Sequence, residues 1–214
     1  MYLNKINIES TTGHFGKVLG YDDRATYDAP TPSTVIGMLK VIYGDDIDNF
    51  TFGYLFKSSL KFNDDITIHK RNSLGKRVKK GENFTSDIRR IEYLYDCSLT
   101  IYTDINKEIE MNYILTMGKA GNPAKLNLPI KSIELFDKDG KGFNQFTTKE
   151  IGTGRILSCN MLSKYNPKYD SYDNQIELLR FNKEFNYDNY FDDEEGQNIF
   201  LWQVNNGVVK NFNG

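Results

Sequence analysis

Apolar and polar positions alternate with period two along several stretches of this 214-residue chain, and with helical spacing along one. Ile6 and Ile8 alternate with Asn7 and Glu9 near the start, which predicts a strand. Phe50, Phe52, Tyr54, Phe56, Leu60 and Phe62 hold even positions, while Thr51, Gly53, Lys57, Ser59 and Lys61 hold odd ones. That pattern predicts one long strand with a single buried face, read as core rather than as a platform for stacking bases. Ile91, Tyr93, Tyr95, Leu99 and Ile101 resume the alternation, and Ile109 to Thr116 reads as a further strand. Shorter candidates follow at Ile66 to His69, Ile133 to Phe136, Ile156 to Leu162 and Ile199 to Val204, separated by Gly, Asn and Asp turns.

The helical stretch is sharply punctuated. Thr31 suits an N-cap, Pro32 the first helical position, and Gly44 a left-handed C-terminal cap, so the helix runs from Pro32 to Tyr43. Its Val35, Ile36, Met38, Leu39, Val41 and Ile42 predict burial against a sheet. Gly37, unfavourable inside a helix, predicts close packing against another backbone. One helix among many strands gives an α+β class.

Length allows one core with at most a small appendage. The only cysteines, Cys97 and Cys159, form neither a closely spaced metal pair nor a disulfide framework, so both are expected reduced and the protein cytoplasmic. No run approaches the apolar length of a membrane span, and Met1 to Lys5 lacks the pattern of a secretion signal.

The net charge of −2 argues against a free-standing, nonspecific nucleic-acid binder, but charge is unevenly distributed. Between His69 and Arg90 stand Lys70, Arg71, Lys76, Arg77, Lys79, Lys80, Arg89 and Arg90 against only Glu82 and Asp87. With turn-like Asn72 to Gly75 and Lys80 to Asn83, this reads as an extended basic hairpin able to contact phosphates. Tyr187 to Glu195 forms an acidic, aromatic loop, so one chain carries a basic finger and an acidic face suited to RNA and to proteins.

Candidate chemistry is sparse. His14, Phe15 and Lys17 sit at a strand end, where an imidazole and an ammonium suit a phosphate and a phenyl ring suits a base; a turn histidine beside a core phenylalanine fits equally well. Gly118 to Gly121, with Lys119, and Gly152 to Arg155 are loops whose N–H groups suit phosphates, although plain turns account for both. Asp137 to Gly142 has Lys141 at a ligand position of a calcium loop and is read as a turn. No hydrolase elbow, Walker motif or metal cluster is present in the sequence, and no cofactor is expected.

Gly13-His14-Phe15-Gly16-Lys17, followed by Thr26-Tyr27-Asp28-Ala29-Pro30-Thr31-Pro32-Ser33 and Gly37-Met38-Leu39, resembles the N-terminal signature of the Cas-five family of CRISPR-associated proteins. Ile91 to Tyr102 resembles that family's central strand pair, and Leu115 to Leu126 its Leu-Gly-Arg-Ser type loop. The resemblance covers about Met1 to Leu126.

It implies a ferredoxin-like, RRM-related domain over 1–126, with a basic thumb hairpin at about 68–86, and a smaller β-rich C-terminal region over 127–214. The second helix of such a fold is signalled weakly, around Pro123 to Leu126. The implied role is non-catalytic: a subunit of a type I, I-B-like, Cascade surveillance complex in antiviral defence. It would hold the five-prime handle of the crRNA, cap the Cas-seven backbone filament and contact the large subunit near the target DNA, without a membrane. His14, Phe15, Lys17, Lys70, Arg71, Lys76, Arg77, Lys79, Lys80 and Lys119 are the expected RNA contacts. One branch of the family, within the RAMP superfamily, cuts precursor RNA without metal, using a tyrosine that Tyr43 matches and a Lys-His pair that this chain lacks. An endoribonuclease with Tyr43, His14 or His69 in catalytic roles is therefore the alternative, and Tyr43 is read rather as the aromatic end of a buried helix.

Overall fold

A computed structural model describes residues 1–17, 25–71, 84–166, 168–188 and 190–212. Strand β1 (Tyr2–Gly13) leads through the Pro-x-Pro segment to α1 (Pro32–Tyr43), and then to β2 (Phe50–Lys57), β3 (Leu60–Arg71) and β4 (Phe84–Thr103). There follow β5 (Lys125–Glu134), β6 (Gly140–Thr148), β7 (Arg155–Asn166), β8 (Ser171–Tyr187), β9 (Phe191–Asp192), β10 (Gln197–Asn198), β11 (Leu201–Asn205) and β12 (Val208–Asn211).

The helix has the expected limits, but its ends differ in detail. The Thr31 carbonyl accepts from the N–H groups of Thr34 at 2.9 Å and Val35 at 3.2 Å, while the Thr31 hydroxyl meets those of Ser33 and Thr34 and caps no backbone group. Gly44 has the expected positive φ, 94°, yet its ψ of 163° sends the chain straight out of the helix instead of into a left-handed turn. Gly37 faces open space: a Cβ there would meet no atom within 4 Å, so no backbone packs against it.

The first sheet runs β12-β11-β2-β4-β1-β5, every pairing antiparallel, with β3 on the remaining length of β4. The strand expected over Phe50 to Phe62 breaks at Ser58 and Ser59. There the Ser59 hydroxyl donates to Asp96 at 2.6 Å, and Asp96 itself takes a φ of 53°. β4 thus pairs with β2 along one part and with β3 along the other. Residues 109–116 do not form the expected strand, and no helix appears near Pro123; the chain from 104 to 114 is irregular, and β5 begins at Lys125.

β2 is buried on both faces rather than one. On one side Phe50, Phe52, Tyr54 and Phe56 join α1 and the second, three-stranded sheet β6-β8-β7 in the main core, through Phe146, Cys159, Met161, Leu179 and Phe181. On the other, Leu55 packs with Leu3, Tyr102, Leu135, Ile199 and Leu201 in a smaller core. The expected boundary at 126 falls within β5, and β11 and β12 return from the C-terminal region to the first sheet. Among the described residues, no helix is long and apolar enough to cross a membrane.

Candidate nucleic-acid interface

β1 ends at Gly13, so His14 and Phe15 leave the sheet together. The His14 backbone bridges to the loop after residue 114: its N–H donates to the Met117 carbonyl at 3.1 Å, and its carbonyl accepts from the Lys119 N–H at 3.3 Å. Opposite it, Gly118 has a φ of 87°, and a Cβ there would lie 2.0 Å from the His14 oxygen, so only glycine fits. His14 is buried, with Nδ1 2.7 Å from the Glu92 carbonyl and its ring centroid 5.7 Å from that of Tyr93. A carbonyl only accepts, so Nδ1 carries a proton.

Phe15 is 3% exposed and packs edge-on against Phe56 at 5.3 Å. Of the two readings of Phe15, base contact and core phenylalanine, this burial favours the second. Lys17 is half-buried and Lys119 exposed.

A cleft of about 390 Å³ opens between His14 to Gly16, the face of α1 that runs from Ser33 to Val41 and the Leu115 to Lys119 loop. Gly37 lines it, together with the Ser33 and Thr34 hydroxyls. The absent side chain at Gly37 is what leaves room here. Sequence reasoning placed Gly37 against backbone and did not single out the two hydroxyls; their positions one turn before Gly37 are the signal that was present.

The Pro-x-Pro segment is fastened from several directions. The Thr26 N–H donates to Glu92 at 3.0 Å, and Asp28 pairs with Lys61 at 2.6 Å and Arg155 at 3.2 Å. The Tyr27 hydroxyl donates to the Ser158 carbonyl, and that of Tyr54 to the Pro30 carbonyl at 2.8 Å. The lead-in to α1, the base of the β3–β4 hairpin and the second sheet are thereby held in one arrangement.

β3 and β4 pair continuously from Leu60↔Tyr95 out to Arg71↔Phe84. This two-stranded arm lies where the basic thumb was expected. Lys70 and Arg71 stand at its far end, opposite Thr85 and Phe84, and His69 is opposite Ser86. Lys76, Arg77, Lys79 and Lys80 lie outside the described residues, in the connection between the two strands. Nearer the body, Arg90 forms a double hydrogen bond with Asp65 at 3.0 and 3.3 Å, which holds that carboxyl below its ordinary range.

Tyr43 is 1% exposed, and burial pushes its hydroxyl pKa up. A buried phenol with a raised pKa is a core residue, as expected for the end of a buried helix, and poorly suited to act as a base. In the Gly152 to Arg155 loop the Gly154 N–H donates to Asn182 at 2.8 Å, so this turn uses its own donor. Among the described residues, no group of three or more His, Cys, Asp or Glu side chains could hold a metal.

The acidic loop is partly turned inward. Lys5, buried in β1, reaches Asp192 and Glu194 at 2.9 Å each and Glu195 at 3.4 Å, while Lys57 reaches Glu195 at 2.8 Å. The Tyr102 hydroxyl adds a 2.7 Å bond to Asp192. Part of the face expected to meet a protein thus serves the fold.

Residues 5–103 match the family model described as "CRISPR-associated protein (Cas_Cas5)". No curated protein sequence matches the chain. Among solved structures, a chain of a "CRISPR RNA-guided surveillance complex" aligns with a TM-score of 0.53 at 12% identity, covering 88% of this chain and 90% of that one. A "CRISPR protein from Archaeoglobus fulgidus" aligns at 12% identity over 98% of both chains, with a TM-score of 0.41. The first of these likeness values speaks for a shared fold.

Proposed function

This chain belongs to the Cas-five family of CRISPR-associated proteins, and we propose that it is the non-catalytic Cas-five subunit of a type I surveillance complex of the Cascade kind. In this reading it holds the five-prime handle of the crRNA, caps the Cas-seven filament with the β3–β4 arm and meets the large subunit beside target DNA. The observation that carries it is the arm itself: β3 and β4 stay paired from Leu60↔Tyr95 out to Arg71↔Phe84, with Lys70 and Arg71 at the far end of the described ladder.

The strand order β5-β1-β4-β2, with α1 crossing between β1 and β2, supports a ferredoxin-like, RRM-related core in which residues 104–124 stand in place of the second helix. The cleft beside Gly37, rimmed by Lys119 and hydroxyls, suits a phosphate or ribose of the handle, whereas Phe15 serves packing. Tyr43 within the core supports a role without chemistry.

The test uses end-labelled CRISPR repeat RNA from the protein's own locus, in EDTA. Intact RNA that binds, and that loses affinity when Lys76, Arg77, Lys79 and Lys80 are all changed to Ala, is the expected result. Up to four lost phosphate contacts should flatten the salt dependence of binding by as much as about 3 in log-log slope. Unchanged handle binding and unchanged assembly would remove the arm's role. A discrete cut, abolished by Tyr43→Phe or His14→Ala in folded protein, would make this the endoribonuclease instead.

A further inference from the structure

The arm is stiff along its length and lightly held where it joins the body. Twelve successive residue pairs run from Leu60↔Tyr95 to Arg71↔Phe84, and the double hydrogen bond from Arg90 to Asp65 crosses between the strands. At the junction the ladder thins. Asp96 and Cys97 of β4 pair with neither β2, whose ladder ends at Lys57↔Ser98, nor β3, and β1 follows β4 only as far as Gly13↔Leu94. Asp96 takes its φ of 53° at this point, which bends the strand locally. Few backbone hydrogen bonds therefore oppose a turn of the arm about its base.

Side chains on one face of the arm supply what the ladder lacks. Lys61, opposite Leu94, and Glu92, opposite Asn63, share that face, and both reach the segment that leads into α1. The Lys61 Nζ lies 2.6 Å from Asp28 Oδ1 and donates to the Thr26 carbonyl at 3.3 Å, while the Glu92 carboxylate accepts from the Thr26 N–H at 3.0 Å. The second oxygen of Asp28, Oδ2, accepts from Arg155 of β7 at 3.2 Å. The lead-in is itself anchored to the body, through the Tyr54 hydroxyl on the Pro30 carbonyl and the Tyr27 hydroxyl on the Ser158 carbonyl. Asp28 thus gives one oxygen to the arm and the other to the second sheet.

We propose that Asp28 is a positioning residue: by holding Lys61 and Arg155 at once, its carboxylate sets the direction in which the arm leaves the body. The side chains are partly exposed, 39% for Asp28, 32% for Lys61 and 71% for Arg155, so each pair biases a choice between directions by roughly fivefold at most and adds little to folding. Leverage makes that bias matter. Arg71 is ten residues beyond Lys61, roughly 34 Å of strand, so a turn of about 10° at the base carries the far end by about 6 Å. Because such pairs are screened by salt, the direction depends on ionic strength. The inference rests on how the arm is attached and holds whether or not the arm binds RNA.

Spin labels on full-length protein, without RNA, read the direction as a distance. One label is attached at Ile88→Cys on the arm and one at Lys149→Cys on the second sheet, both exposed positions, while the native Cys97 and Cys159 are buried. Ile88 lies opposite Thr67, six residues beyond Lys61, so the same turn moves it by roughly 3 to 4 Å. Asp28→Asn should shift or broaden the distance distribution by about 3 Å, Asp28→Glu should keep the parent distribution, and Tm should stay within about 3 °C in both. Salt at about 1 M, where the screening length is about 3 Å, should move the unaltered protein toward the Asp28→Asn distribution and leave that variant where it is. The proposal is overturned if Asp28→Asn keeps the parent distribution, if salt moves the variant as far as the unaltered protein, or if the change in distance comes only with a loss of Tm.

Discussion

Lys5 and Asp192 are 187 positions apart in sequence and 2.9 Å apart in space, each with only 3% of its side chain exposed. Burial alone pulls the Lys5 pKa down, but the hydrogen bonds that its ammonium donates to Glu194 and Asp192 and the charges of Asp192 and Glu195 outweigh it, and the net shift is upward. For Asp192, burial acts to raise the pKa, and the Tyr102 hydroxyl and Lys5 overcome it, so the net shift is downward.

Removing one partner leaves the other charge buried. Lys5→Met should destabilise the fold by about 3–5 kcal/mol, far more than Lys57→Met at the exposed end of the same network. Urea unfolding of the two variants checks this; equal costs would refute it.

The pair also fixes a sign with pH. Asp192 contributes stability that is present above its ordinary value of 3.8 and is lost as pH falls through its lower folded value. Lys5 contributes stability that is present below 10.5 and is lost as pH rises through its higher folded value. In Lys5→Met the carboxyl of Asp192 retains burial without its cation, which raises its pKa. Relative to the unaltered protein, that variant should therefore gain stability on acidification from about pH 7 to 5. Midpoints of urea unfolding at the two pH values decide it.

Two glycines of one loop should behave oppositely. Gly118→Ala forces a Cβ to 2.0 Å from the His14 oxygen at a positive φ, and should cost more than about 2 kcal/mol while loosening the junction of β1 with that loop. Gly121→Ala meets nothing within 4 Å and should lie within about 0.5 kcal/mol of the parent. Thermal unfolding compares them directly.

Gly37 separates stability from use of the cleft. Gly37→Ala should stabilise by about 0.5–1 kcal/mol, because alanine suits a helix interior and the space is open. Gly37→Met fills the cleft, and should keep Tm while weakening repeat RNA. Unweakened RNA would take the cleft out of the interface.

Burial pushes the Cys97 thiol, beside Asp96, up to about 12, and likewise the Cys159 thiol against the opposing hydroxyl of Tyr27. At about pH 8 both should resist iodoacetamide at least a thousandfold better than a free thiol, and react only on unfolding. Mass spectrometry after timed labelling measures this.

The helix was legible to the residue because Pro32 and Gly44 act locally, whatever surrounds them. The two-sided burial of β2 was not, because the cover on Gly53 and Leu55 comes from Ile199 and Leu201 at the far end of the chain. Ile109 to Thr116 alternates like a strand but finds no ladder among the described residues; period two reports a competence to pair, not a partner. At the candidate interface, the start of the arm was visible in the strand signal from Ile66 to His69 and in the charges of Lys70 and Arg71, while the expected turns from Asn72 to Gly75 and Lys80 to Asn83 lie outside the described residues. The cleft was not, since it depends on an empty space beside Gly37 that only the arrangement of three segments creates.

Gly53 pairs with Leu201, and Phe50 with Val204, so β2 waits for a strand made about 150 residues later. At roughly 5–20 residues per second, translation leaves that edge and its aromatic neighbours uncovered for about 7 to 30 s. The nascent chain is thus exposed to aggregation or chaperone capture until Leu201 to Val204 emerge, and a ribosome stalled before Leu201 should hold a protein that has not yet closed its first sheet.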